Sequence, residues 1–494
     1  MSSNMTVAGY LSPLPSNPAL AKLFLTLRRF FAGKLFMWLS FAAAAVFVAL
    51  GAEVVGVATF VLIIALILTV SDDIIPTTFP FLLICISVLQ CYDSFNTFIG
   101  LWWLAIPVIS ALVFHFVYYR RPILIGKTFY GIAAVSVAVT LGGLGSIDIV
   151  NYAKSAYYVL GLGAGMMVSY ILIKSQLEIH RDYDLRERFV DIMYMAGLFT
   201  CFQLFAVYAE NYISLSDRMS LWEFIKNRDH IGAHEPGLPY YPSTIAPHTR
   251  MLQCGNNIST FIMFFLPFPF YRARQGGRSL LHLGTALLMM ITLFLSGSRG
   301  GMLLGSAEFL ICTVAMALTS KAASAKIAGW SVIGVSFAVA ITVILVADLI
   351  PRLASFITNL QNEPRGKLME LSLKEFTEAP LFGKGLGNPN VAAIYDGKAG
   401  TMKWYHMMIP QIIGSMGAVG ILGYGYQIFK RIREVICRFN PYVMTLGLSY
   451  LGVLLITQVN PGEFCPLPYE LMAVMLFIMI EKEPEREKIK NKRR

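Results

Sequence analysis

The chain has 494 residues, 56% hydrophobic and only 14% charged, with a mean hydropathy of +0.62. No soluble domain of this length combines so little charge with so much Phe, Met, Leu and Ile, so a soluble enzyme is excluded. The net charge of +11 reads as the positive-inside bias of loops lying against anionic lipid, not as a nucleic-acid footprint.

A bilayer is crossed by about 20 apolar residues. Apolar runs predict fourteen spans, at 35–51, 54–70, 75–90, 98–118, 129–146, 156–173, 189–208, 254–270, 280–296, 301–318, 327–349, 407–428, 441–458 and 466–480. Only Gly51-Ala52-Glu53 separates the first two. The fold class expected is an all-α polytopic membrane protein of 12–14 transmembrane helices. Residues 1–34 form a cytoplasmic leader without a cleavage site, 35–480 a single transmembrane domain, and 481–494 a basic cytoplasmic tail.

Orientation follows from Lys and Arg in the connections. With the N-terminus inside, the tails and short inner connections hold 27 of the 40 cations, and the short outer connections hold only Lys154 and Arg299. The expected topology is N-in, C-in. The acidic inner turn Ser71-Asp72-Asp73 runs against it. Two outer loops, 210–252 and 351–405, are long enough to be functional rather than connecting. Within the second, residues 365–379 carry Leu368, Leu371 (or Ser372) and Phe376 between Lys367, Glu370, Lys374 and Glu375, the pattern of a short amphipathic helix stopped by Pro380. Seven cysteines are scattered without metal-ligand spacing.

The richest stretch is Leu295-Ser296-Gly297-Ser298-Arg299-Gly300-Gly301. It sets one arginine at an outer span start among small residues. A charge there is expensive without a partner. Gly297, Gly300 and Gly301 let backbone approach a ligand and leave amides for an anion, and the helix dipole adds to the cation. The bland reading is a snorkelling anchor. Arg250 likewise precedes a span, with Asn256 and Asn257 able to bond phosphate or sugar. The run Gly383-Lys384-Gly385-Leu386-Gly387-Asn388 follows no strand, so it is a glycine turn that docks the loop or cradles an anion rather than a dinucleotide loop. His406, at the mouth of span 12, suits a general base or donor. No outer loop sets a DxD-like acidic pair beside a span, so no metal site is expected.

These residues resemble the O-antigen ligase and O-antigen polymerase superfamily, membrane glycosyltransferases acting on undecaprenyl-diphosphate-linked glycans. The resemblance covers residues 245–425: Arg250 followed by Gly255-Asn256-Asn257, then Ser298-Arg299-Gly300 opening a span. Next come Arg365 starting a loop helix that ends in Pro380-Leu381-Phe382-Gly383-Lys384-Gly385, His406 at the next span, and Gly414, Gly417 and Gly420. The chain departs from the family at His406-Met407, where His-Asn is frequent, at Gly414-Ser415-Met416-Gly417, where Glu-x-Gly is frequent, and at Met369, where an aromatic is common.

What the resemblance implies is a GT-C-like helical enzyme of the bacterial inner membrane that needs no cofactor. It would transfer a glycan, without a metal, from the lipid diphosphate to a hydroxyl on a glycan or lipid acceptor, as ligase or polymerase. Arg299 and Arg250 would neutralise the leaving diphosphate and His406 would serve the acceptor. Arg365, Asn256, Asn257, Ser298, Gly383, Lys384 and Gly385 would bind substrate. The rival reading is a secondary transporter or flippase of lipid-linked oligosaccharide, against which no half-to-half similarity is visible. A non-catalytic assembly protein is the third.

Overall fold

In the computed structural model the described residues are 14–88, 102–119, 122–142, 144, 156–177, 183–215, 220, 255–276, 278–296, 298–320, 322–345, 364–386, 390, 391, 394, 405, 407–459 and 464–485. They are helical, with no strand among them. In chain order the helices are α1 (Pro18–Phe31), α2 (Lys34–Ala49), α3 (Glu53–Val70), α4 (Ile75–Val88), α5 (Ala105–Tyr119) and α6 (Phe129–Gly142). Then α7 (Ala156–Leu160) runs through a kinked turn at Gly161–Gly165 into α8 (Met166–Leu177), followed by α9 (Tyr183–Leu215), α10 (Gly255–Phe265) and α11 (Pro267–Gln275). The remainder are α12 (Ser279–Leu295), α13 (Arg299–Thr319), α14 (Ala323–Leu345), α15 (Pro364–Glu378), α16 (Met408–Cys437), α17 (Pro441–Ile456) and α18 (Leu471–Glu481).

Each of the fourteen apolar stretches carries helix. Among the described residues, five helices are long and apolar enough to cross a membrane, and α1 with α2 would make a sixth if the bent pair is one span. The chain is an all-α polytopic membrane protein.

The leader holds a helix that its apolar content alone did not announce. Asn17 caps α1 by accepting from the amides of Ala19 (2.9 Å) and Leu20 (3.4 Å), with Pro18 in the first turn. At its other end Arg28 donates from Nε to the terminal carbonyl of α3 at Val70 (2.6 Å) and from Nη2 to Tyr119 (3.3 Å). A cation at a helix C-terminus satisfies an orphan carbonyl and complements the dipole. The axis of α1 meets that of α2 at 69°.

The chain divides into two compact units. The first comprises residues 1–123, 175–269 and 284–306. Here α3 packs on α4 and α5, while α9 packs on α2, α4 and α10. The acidic turn that opposed the topology is occupied: Asp73 accepts from the Ile75 amide (2.9 Å) and pairs with Arg188 of α9 (2.7 Å).

The second unit comprises residues 124–174, 270–283 and 307–494. Its centre is the packing of α6 on α16. Gly131, Ala134, Ala138 and Gly142 line one face of α6, and a Cβ on Gly131 would stand 2.9 Å from the Gln427 backbone. Small residues at this spacing let two backbones approach where lipid offers no hydrophobic drive.

Arg431, counted above as a loop cation, is instead buried in α16. Its Nη2 donates to Glu470 (2.5 Å) and its Nη1 to Tyr450 (3.2 Å), while Gln427 donates to the same Glu470 (2.8 Å). The helix continues to Cys437, nine residues beyond the expected end of the span at 428.

Candidate functional site

The expected site residues fall in both units. Arg250 and His406 lie outside the described residues, as do Gly297, most of the first outer loop and the parts of the second at 351–363, 387–389 and 395–404. For Arg299 and Arg365 the helical backbone is described.

In the first unit Arg299 is the first residue of α13, and Ser298 is the residue that caps it. The Ser298 hydroxyl accepts from the Gly301 amide (3.1 Å) and donates to Asn256 Oδ1 on α10 (2.6 Å). Beside this bond, the hydroxyls of Ser259 and Ser296 meet at 3.1 Å. Ser298 and Asn256 therefore come together, two of the expected substrate-binding residues in one hydrogen bond. Asn257 sits next to them on α10, half-buried.

One expectation is corrected here. Gly301 does not leave its amide for an anion, because that amide is the one capped by Ser298. The missing side chain serves packing instead: a Cβ on Gly301 would stand 2.2 Å from Ser259 Oγ and 2.5 Å from Ser259 Cβ.

In the second unit the amphipathic helix forms where the pattern predicts, from Pro364 to Glu378, with Arg365 its second residue. Leu368 and Ser372 are fully buried, and Lys367, Glu370 and Lys374 are exposed. Leu368 packs with Val391, Tyr405 and Met407.

Past Pro380 the chain enters a break in α16. Gly417 has φ +59° and ψ −146°, a conformation essentially confined to glycine. In an unbroken helix Ala418 and Val419 would donate to Gly414 and Ser415. Here both bonds are replaced by the loop. Lys384 donates to the Gly414 carbonyl (2.8 Å) and Gly385 to the Ser415 carbonyl (3.0 Å). In return Ala418 donates to Pro380 (2.8 Å) and Val419 to Leu381 (3.2 Å). Four backbone groups orphaned by the break are satisfied by four from the loop.

This close exchange explains Gly383, whose φ is +65° and whose Cβ would stand 2.4 Å from the Ser415 carbonyl carbon. Leu386, fully buried, anchors the end of the loop in the core around Val139, Met408, Ile412 and Met416. The glycine run thus docks the loop. The amides of Gly383, Lys384 and Gly385 are committed to Ala379, Gly414 and Ser415, which removes them from an anion cradle. The Lys384 ammonium reaches Glu378 (3.1 Å) on the exposed side.

Two acids escaped the sequence reading. Glu375 is buried, accepting from the Tyr405 hydroxyl and from Asn390 Nδ2 (3.3 Å). Burial and the facing carboxylate push the Tyr405 phenol above its ordinary range, so it remains the donor. The signal was present: Glu375 stands seven residues after Leu368 and three after Ser372, on their face of the helix.

Glu308 is fully buried midway along α13, with no hydrogen-bond partner for either oxygen among the described residues. Its carboxyl lies against α17 at Gly452, where a Cβ would stand 2.5 Å from it. A lone acid inside an apolar run is itself a flag. Among the described residues no group of three or more His, Cys, Asp or Glu side chains could hold a metal.

The helices define a multi-pass membrane protein in which the 380–385 loop is bonded into a break in one candidate span. Residues 284–425 match the family described as O-Antigen ligase. The match supports the resemblance to the O-antigen ligase superfamily, and with it a family that transfers glycans as ligase or polymerase. It takes in Ser298, Arg299, Arg365, the docked glycine loop, His406 and the break at Gly417, and stops short of Arg250, Asn256 and Asn257. No curated protein matches the chain.

Proposed function

We propose that the chain is an inner-membrane glycosyltransferase working on the outer face, as an O-antigen ligase-like enzyme or a repeat-unit polymerase. It moves a glycan from an undecaprenyl-diphosphate carrier to an acceptor hydroxyl without a metal. The observation that carries the reading is the placement of two arginines within the family match. Arg299 and Arg365 are the first and second residues of α13 and α15.

A cation in a first turn opposes the helix dipole, at a cost of about 0.3–1 kcal/mol each. Stability would place an acid there. An anionic substrate reverses the sign, since the dipole and the guanidinium then act together. Departure of the lipid diphosphate builds negative charge, and guanidiniums aimed at it stabilise the transition state as a divalent cation would. Arg250 belongs to the same set. Asn256, Asn257 and Ser298 bind substrate, and His406 deprotonates or orients the acceptor hydroxyl.

A broken span is also a hallmark of transporters, whose freed backbone groups hold substrate. In α16 the freed groups are bonded to the loop, which favours the enzyme over the flippase.

The decisive variant is Arg299→Lys, compared with Arg299→Ala at equal protein level. A planar guanidinium holds two phosphate oxygens at once and an ammonium does not. Both variants are expected to lose surface glycan. Full glycan production with Lys would return Arg299 to the role of an interfacial anchor. Transfer by the purified protein should persist in EDTA, and activity restored only by magnesium or manganese would overturn the metal-free mechanism.

A further inference from the structure

We propose that Glu375 is a positioning residue of the transfer site, holding through Tyr405 the segment of chain that leads into His406. The inference rests on the reading of His406 as the residue that serves the acceptor.

Tyr405 is fixed from two sides. Its amide donates to Gln411 Oε1 (3.0 Å), and Gln411 in turn donates from Nε2 to Ser415 Oγ (2.7 Å), so α16 holds the main chain. Its hydroxyl donates to Glu375, so α15 holds the side chain. Three residues further on, the Met408 amide donates to the Thr457 carbonyl (3.0 Å), and Met407 is buried with Leu368, Val391 and Tyr405. The residues before and after position 406 are thus both anchored, and Glu375 is the carboxylate that receives the Tyr405 hydroxyl.

Stability does not account for an acid at this place. Burying a carboxylate is costly, and an apolar side chain of similar size is commonly as good or better for the fold. Leu368, Val391 and Met407 already surround Tyr405 with apolar atoms that would accommodate one. What the carboxylate adds is direction. It accepts from Tyr405 and from Asn390 at once, so the loop helix, the residue at 390 and the start of α16 keep one spacing. Reaction geometry is sensitive to such spacing, a shift of about 1 Å costing about a hundredfold in rate.

The test uses the full-length protein in detergent or nanodiscs, fed with lipid-linked glycan extracted from a strain deleted for this chain, with release of the lipid diphosphate as readout. Tyr405→Phe deletes one hydroxyl and Glu375→Ala its acceptor. Each is expected to lower kcat by about tenfold to a hundredfold while KM for the donor lipid stays within about twofold. The double variant should be no worse than the poorer single one, because the two changes break the same bond. Glu375→Gln, which still offers one acceptor oxygen to Tyr405, should recover most of the turnover, whereas a purely structural acid would show a loss that follows the melting temperature.

Wild-type kcat in Tyr405→Phe, or a raised KM at unchanged kcat, would overturn the proposal. His406→Ala run in parallel separates the two failures. Full turnover in His406→Ala removes the reading on which the proposal stands. Lost turnover there with full turnover in Tyr405→Phe removes the proposal alone.

Discussion

Two glycine-containing turns reach their structures by different physics. At 296–301 the turn is held by side chains: Ser298 caps α13 and reaches Asn256, and Gly301 is small so that Ser259 fits. At 414–419 the turn is held by backbone. The helix opens at Gly417, and the 380–385 loop takes over the bonds it gives up. Gly301 of the first turn is a spacer, and Gly383 and Gly417 of the second are conformational requirements. Side chains can give way and backbone cannot, so the two turns should tolerate change differently.

The largest effect is expected at the backbone turn. Gly417→Ala must hold a glycine-only conformation and places a Cβ 2.7 Å from the Pro380 carbonyl oxygen and 2.8 Å from the Gly383 nitrogen. A loss of about 3 kcal/mol or more follows, from strain and a clash with atoms that cannot rotate away. Thermal melting and membrane yield will show it, and near-native stability would mean that the break is not the stable form of α16.

Next comes Gly301→Ala, with about 1–3 kcal/mol from overpacking against Ser259. Here relief is available. Adding Ser259→Gly should return part of the loss, and failure of that rescue would erase the distinction between the two turns.

Ser298→Ala follows at about 1–2 kcal/mol, the loss of a helix cap together with one partly buried hydrogen bond. Because Asn256 Oδ1 is left unpaired in the single variant, Ser298→Ala with Asn256→Ala should cost less than the sum of the two changes.

The smallest effect lies outside both turns and gives a baseline. Its hydrogen bond to Glu485 raises the Lys127 pKa. A raised folded value gives stability that is present in full below the ordinary lysine range and lost as pH rises through the folded value. Lys127→Met should therefore melt slightly below the wild type at neutral pH, with the gap closing in alkali. The ammonium is half-exposed, so salt should shrink the gap as well.

Much of this was legible in the chain because membranes impose a simple grammar. Fourteen apolar stretches all carry helix, and the amphipathic stretch predicted at 365–379 forms at Pro364–Glu378, since Leu368 and Ser372 share a face and Pro380 stops the turn. What was hidden is where polar groups find partners far along the sequence. Glu375 was grouped with Lys374 as a solvent-side residue, although its partner Tyr405 lies 30 residues away. Arg431 resembled a loop cation because its partner Glu470 comes 39 residues later. Gly417 gave no local sign of a break, because glycine inside membrane helices is ordinary. Only the approach of the 380–385 loop makes the break stable, and an apolar window does not register that approach.

The exchange of bonds at Gly417 also ties the timing of four amide protons together. Those of Lys384, Gly385, Ala418 and Val419 are shielded by one shared contact. No single one can be released by fraying of a helix end. When the loop lifts, all four become open to water in the same event, while the amides of α16 on either side of the break stay bonded within their own turns. In deuterium exchange these four should form one kinetic class, slower than loop amides and faster than the helix around them. Its rate would be a direct measure of how often the clip between α15 and α16 opens.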